Sequence, residues 1–177
     1  MLFGVVLIAL SFTEVLSLDP VNFLFFSFVG LLFALYRPGW AFLFLIGMLP
    51  YEVINIAPEN FSLMIRPYQW ILVLLTAALA IRFFFKRVSL PHFTPNVWDG
   101  LLVILGVSSL ISALVSTDQP TAFKLGIVLF SFILLYFICR LFIRSVDDIV
   151  MLLPFLLSSF LVVACYGVLQ NILFLSG

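Results

Sequence analysis

Arg66 and Lys124 are the side chains whose type and setting best suit anion chemistry. Each lies at or near the edge of a long apolar run. A guanidinium offers paired hydrogen bonds to a phosphate, and an ammonium supplies a compact charge. The same two residues could instead anchor helix ends among lipid headgroups, with their stems lying along apolar surface. Gln170 and Asn171 carry amides that could hold a sugar hydroxyl, or could bond to a neighbouring helix. Arg66, Lys124 and Gln170 form the candidate substrate-binding set.

The remaining reactive side chains point to structure. Ser108, Ser112 and Ser116 recur every fourth residue, a small-residue stripe that suits close helix approach. No His or carboxylate accompanies them to activate a nucleophile. Asp99 opens an apolar run, where a carboxylate is favoured by the N-terminus of a helix. His92 sits between prolines without ligand partners, and Cys139 and Cys165 lie in apolar runs as packing residues. Neither a metal set nor a cofactor motif emerges. Glu14 and Lys124 lie close enough to run ends to reach the interface. A proton- or ion-coupled transporter would be expected to carry an ionisable residue nearer mid-span.

The elements that must position these groups follow from composition. Hydrophobic residues make up 65% of the chain and charged residues 9%, against about 45–50% and about 25% in a soluble domain. With a mean hydropathy of +1.33, lipid is the solvent for most of the chain. No basic tract with interleaved aromatics suggests nucleic acid. A span needs about 20 apolar residues, and on that measure the fold class is all-α, a polytopic transmembrane bundle of about seven spans in one domain, residues 1–177. The spans are expected at 2–18, 21–36, 40–56, 67–85, 97–115, 121–139 and 149–175. The first is read as a retained helix, because it lacks a basic n-region and a cleavage site. The third reaches span length only by including Val53, Ile54 and Ile56. Pro154 is expected in the first turns of the seventh.

Orientation follows from the basic residues. With the N-terminus in the cytoplasm, Arg37, Arg82, Lys86, Arg87, Arg140 and Arg144 fall inside and only Arg66 and Lys124 outside, in line with the positive-inside rule. Removing the third span would move Arg37 outward. Tyr36, Trp40, Tyr51, Tyr68, Trp70 and Trp98 lie near span ends, as interfacial aromatics do.

Three local stretches resemble the N-terminal half of the O-antigen ligase and O-antigen polymerase superfamily. They are Ile65-Arg66-Pro67-Tyr68-Gln69-Trp70, then Pro95-Asn96-Val97-Trp98-Asp99-Gly100 with the Ser-rich run and Thr117-Asp118-Gln119-Pro120 after it, and Tyr166-Gly167-Val168-Leu169-Gln170. The resemblance implies a metal-independent, cofactor-free glycosyltransferase of the bacterial inner membrane. Its partners would be membrane lipids and an undecaprenyl-diphosphate-linked glycan, which it would transfer or extend during cell-envelope polysaccharide and lipopolysaccharide assembly. The family's catalytic outer loop follows the region matched here, so the resemblance reaches the scaffold and leaves the catalytic residues unassigned. The chain is accordingly expected to be the N-terminal portion of a longer enzyme and inactive by itself. The alternative is a non-enzymatic membrane scaffold or subunit.

Overall fold

The computed structural model describes residues 19–51, 55–58, 64–85 and 95–176, apart from the side chains of 170 and 173–176. The expected first span, residues 2–18, lies outside the described residues, as do Glu14, Glu52, Glu59 and His92. Six helices form among the described residues: α1 Pro20–Tyr36, α2 Pro38–Met48, α3 Pro67–Phe84, α4 Val97–Val115, α5 Gln119–Phe142 and α6 Val146–Ser176. Four of them, α3 to α6, are long and apolar enough to cross a membrane, and α1 and α2 are shorter apolar helices. The protein is a membrane protein, all-helical among the described residues.

Prolines set several helix starts. Pro20, Pro38 and Pro120 each occupy a first-turn position, where the missing N–H would have no intrahelical partner. Pro38 also ends α1, since the residue before a proline is pushed out of helical geometry. Arg37 has φ −133° and ψ 70° and closes α1 with its N–H on the Phe33 carbonyl at 2.8 Å.

Among the described residues the third expected span is helical only over its first part. Its helix, α2, has 11 residues, about 16 Å of rise against roughly 30 Å of hydrocarbon. Pro50 is the cause: it cannot donate to the Ile46 carbonyl and its ring opposes further helix. The chain instead turns, with Tyr51 N–H on the Met48 carbonyl at 3.1 Å, and Ile56 lies in irregular backbone.

The seventh expected span starts three residues early. Ser145 and Asp148 bond reciprocally, Asp148 N–H to Ser145 Oγ at 3.2 Å and Ser145 N–H to Asp148 Oδ2 at 2.9 Å, a capping box that starts α6 at Val146. Pro154 therefore lies inside the helix rather than in its first turns.

The residues cluster into two compact units, one drawn from Met1–Ile81 and Ser145–Gly177, the other from Arg82–Arg144. In the first unit α1 and α3 run parallel. Phe23 and Trp70 rings lie 6.3 Å apart, Trp70 Nε1–H donates to Ser27 Oγ at 2.8 Å, and Gly30 faces Leu74. The hairpin α1–α2 brings Phe33 edge-on to Phe44 at 5.9 Å, and Gly47 of α2 faces Ser159 of α6. Leu45, Tyr68, Leu72 and Leu75 are fully buried there. Two of the expected interfacial aromatics are corrected by this packing: Tyr51 and Tyr68 are core residues, at 4% and 1% exposure, while Tyr36, Trp40 and Trp98 do stand exposed.

The second unit is the antiparallel hairpin α4–α5. Its close approach is not the serine stripe. Ser108 and Ser112 are exposed, and the packed face carries Gly106 and Ala113. A spacing of four drifts about 40° per step around a helix, whereas a spacing of seven drifts about 20° in all. Gly106 and Ala113 therefore stay on one line while the serines wander off it. Gly106 meets Phe130 and Ile133, and Gly126 meets Leu110 and the Ser109 carbonyl.

Candidate functional site

Arg66 is positioned through its backbone. It is the N-cap of α3: its carbonyl accepts the Trp70 N–H at 3.1 Å, and its own N–H donates to Gln69 Oε1 at 3.2 Å. That second bond is half of a capping box, with Gln three residues past the cap. The preceding residue is held as firmly. Ile65 N–H donates to Asn55 Oδ1 at 3.0 Å, and its carbonyl accepts the Ile56 N–H at 3.0 Å. Asn55 Oδ1 also takes the Ala57 N–H at 3.1 Å. Arg66 thus emerges, half-buried, from backbone fixed on both sides. Neither Asn55 nor Gln69 was singled out by sequence reasoning; Gln at the third helical position was the available signal for the latter.

Below this frame the first unit holds an apolar groove of about 410 Å³, walled by α1, α2 and α3. Phe26, Gly30 and Phe33 form the α1 wall, Trp70 and Leu74 the α3 wall, and Phe44 part of the α2 wall. Met48, Ile56 and Pro67 also line it, so the groove reaches the residues on either side of the Arg66 frame. Every lining side chain is apolar apart from the Trp70 N–H, which is already bonded to Ser27.

Lys124 is exposed in the first turns of α5. Asp118, the N-cap of α5, receives the Thr121 N–H at 3.3 Å. Hydrogen bonds from Thr121, with Lys124 adding attraction, hold the Asp118 carboxyl below the usual range. Arg66 belongs to the first unit and Lys124 to the second. The Gln170 side chain lies outside the described residues; Asn171 donates its amide to the Gly167 carbonyl of its own helix at 2.9 Å, rather than to a neighbouring helix.

Asp99 does more than the cap read from sequence. Asn96 and Asp99 complete a reciprocal capping box at 2.9 and 2.7 Å. The Asp99 carboxylate also accepts from Tyr136 Oη–H at 3.1 Å and pairs with Arg140. Arg140 in turn lies over the Tyr136 ring, 5.8 Å from its centroid. Asp99 is 4% exposed, so a buried carboxylate at one end of the α4–α5 hairpin is neutralised from the facing helix. Tyr136 and Arg140 stand four apart, hence on one face. That spacing, opposite Asp99 in a hairpin with a short turn, was the missed signal. Cys139 and Cys165 are free thiols.

No family model, curated protein or solved structure matches this chain.

Proposed function

We propose that the protein is an O-antigen ligase- or polymerase-like component of bacterial cell-envelope polysaccharide assembly. In this reading it binds an undecaprenyl-diphosphate-linked glycan at the outer face of the inner membrane. Its topology has seven crossings with the N-terminus in the cytoplasm, the third made by α2 together with the residues that follow it, which puts Arg66 and Lys124 outside. The observation that carries the reading is the frame around Arg66, in which Asn55, Ile56 and Gln69 fix the backbone on both sides of the guanidinium-bearing residue. Preorganisation of this kind favours binding, because less ordering remains to be done when the ligand arrives. Lys124 and Gln170 carry side chains suited to phosphate and sugar respectively, and each is proposed by itself rather than as part of one site with Arg66.

The test is binding of a polyprenyl diphosphate to the purified full chain. Hydrogen bonds to charged groups contribute about 1.5–3 kcal/mol, so Arg66→Ala is expected to weaken binding by about 10- to 100-fold. Arg66→Lys keeps the charge but loses the paired geometry, and should recover only part of the affinity. Unchanged affinity in a well-folded Arg66→Ala protein removes the phosphate role and leaves a helix-end anchor. Cysteine labelling tests the orientation independently: positions in the 52–60 segment should react from outside and those in 87–95 from inside.

A further inference from the structure

We infer that the turn between α1 and α2 is a headgroup site for an anionic phospholipid, whose phosphate is met by Arg37 between Tyr36 and Trp40. The inference does not rest on the reading above. Gly30 of α1 faces Leu74 of the parallel α3, so at about 1.5 Å of rise per residue Arg37 lies roughly 22 Å from Arg66 along the helices. One headgroup does not serve both.

The turn is suited to a membrane surface. Two apolar helices leave it, while Tyr36 and Trp40 stand 75% and 56% exposed and Arg37 is exposed between them. An aromatic ring with one polar edge settles between hydrocarbon and headgroups. Two such rings flanking a cation hold the guanidinium at headgroup depth. Pro38 restricts the backbone that follows Arg37, and the space beside Gly39 is open, so a headgroup meets no obstruction there.

The polar groups of the turn call for an acceptor. Arg37 lies over the Tyr36 ring, 5.2 Å from its centroid, a contact that orients the guanidinium through the ring face and leaves its N–H groups available. Among the described residues, neither the guanidinium, the Tyr36 hydroxyl nor the Trp40 indole N–H has a hydrogen-bond or carboxylate partner in the protein. Arg140 is the contrast, since Asp99 already meets its charge. Guanidinium and indole N–H groups only donate, and the complement of a cation with such neighbours is an anion rich in acceptor oxygens. A lipid phosphodiester supplies those oxygens at the depth of the turn. In a zwitterionic lipid the headgroup's own cation competes for the phosphate, whereas an anionic lipid leaves it to Arg37. One basic residue near the surface favours anionic lipid by about fivefold.

Trp40 reports on its own site. The chain has three tryptophans, so Trp70→Phe with Trp98→Phe leaves Trp40 alone. The full-length double variant is reconstituted into phosphatidylcholine vesicles holding a fixed fraction of phosphatidylglycerol, with bromine on the acyl chains of one lipid or of the other. Quenching of Trp40 should show phosphatidylglycerol enriched about fivefold over its bulk fraction. Arg37→Gln should remove the enrichment while helicity and elution stay unchanged, because the side chain is exposed. Arg66→Gln should leave it intact. Should Trp70→Phe disturb the packing against Ser27, the same comparison is made with all three tryptophans in place, where the difference between the Arg37 protein and Arg37→Gln isolates the share of Trp40. Equal quenching by the two lipids with Arg37 intact overturns the inference. Enrichment that survives Arg37→Gln also overturns it, because the preference then belongs to the charge of the whole chain. Unaltered donor binding in Arg66→Ala would sink the donor reading and leave this inference standing.

Discussion

Gly106→Leu should open the α4–α5 hairpin, whereas Ser112→Leu, one helical turn and a half away, should be tolerated. A β-carbon at Gly106 would lie 2.9 Å from Ile133 Cδ1 and 3.6 Å from Phe130 Cδ2. Carbon atoms in contact rest at about 3.5–4.0 Å, so the first added carbon already intrudes by more than half an ångström. Alanine stops there. Ile133 yields at the tip of its side chain, and the resulting strain of about 1 kcal/mol is offset by a helix-propensity gain of about 1 kcal/mol. Gly106→Ala should therefore be close to neutral.

Leucine sends three more carbons into the same space. Ile133 is 6% exposed and cannot turn aside that far, so the helix axes must separate, and the Leu110–Gly126 contact loosens with them. Overpacking of this kind costs about 1–3 kcal/mol, and Gly106→Leu belongs at the upper end. At about 2–4 °C per kcal/mol for a chain of this size, the midpoint should fall by roughly 5–10 °C. Ser112 is exposed, and a substitution there should stay within about 0.5 kcal/mol. The assay is thermal unfolding of the detergent-solubilised full chain, followed by circular dichroism. A Ser112→Leu loss equal to or larger than that of Gly106→Leu would refute the assignment of the packed face.

Asp99→Asn and Arg140→Gln should each lower the same midpoint, and the double variant should lose clearly less than the sum, because both remove one interaction; strict additivity would mean that the pair is not coupled. Asp118 has a folded pKa below its ordinary value through its Thr121 hydrogen bonds, so its contribution is complete above the unfolded value near about 3.9 and fades as pH falls through the folded one. Acid titration of the unfolding midpoint should accordingly be flatter in Asp118→Ala, and identical curves would count against the Thr121 bonds. Ser145→Ala removes one side of the α6 capping box and should cost about 1 kcal/mol, seen as faster amide exchange at Val146–Asp148 with the core of α6 unaffected; unchanged exchange would show that the box does not hold the helix start.

How much of this was legible beforehand depends on the kind of signal. Long apolar runs between proline and basic punctuation identify α3 to α6, because length and hydropathy alone distinguish a spanning segment. The boundaries that moved did so for local reasons written in single residues. Pro50 truncates α2 in a stretch whose hydropathy invites extension, and Ser145 with Asp148 starts α6 ahead of its first strongly apolar residues. The packed face of α4 was misread because serines at four-residue intervals look like a stripe, although Gly106 and Ala113, seven apart, hold a straighter line. Long-range partners were the least accessible. Asp99 announced itself as a cap, but its pairing with Tyr136 and Arg140 exists only once the hairpin sets α4 against α5. Asn55 and Gln69 are ordinary amides in the sequence and become informative only through the backbone groups they satisfy.

Irregular backbone near lipid is tolerated where its polar groups find partners within the protein, and this requirement separates the two units. The hairpin meets it with regular structure. Its helices satisfy their own backbone, capping boxes and turns finish the ends, and the one buried carboxylate is matched from the facing helix, so substitutions there should register as stability. Among its described residues the first unit leaves regular structure at 49–51, 55–58 and 64–66, and holds the last two of these stretches with side-chain amides. Asn55 satisfies two N–H groups and Gln69 a third, and among the described residues no buried side-chain polar atom is left without a partner. This frame joins α2 to α3. It fixes Arg66 beside an apolar groove, and loops held on a rigid scaffold are where binding residues concentrate. Substitutions that spare the frame and change only Arg66 should alter ligand binding with little effect on stability, the opposite of the pattern at Gly106 and Asp99.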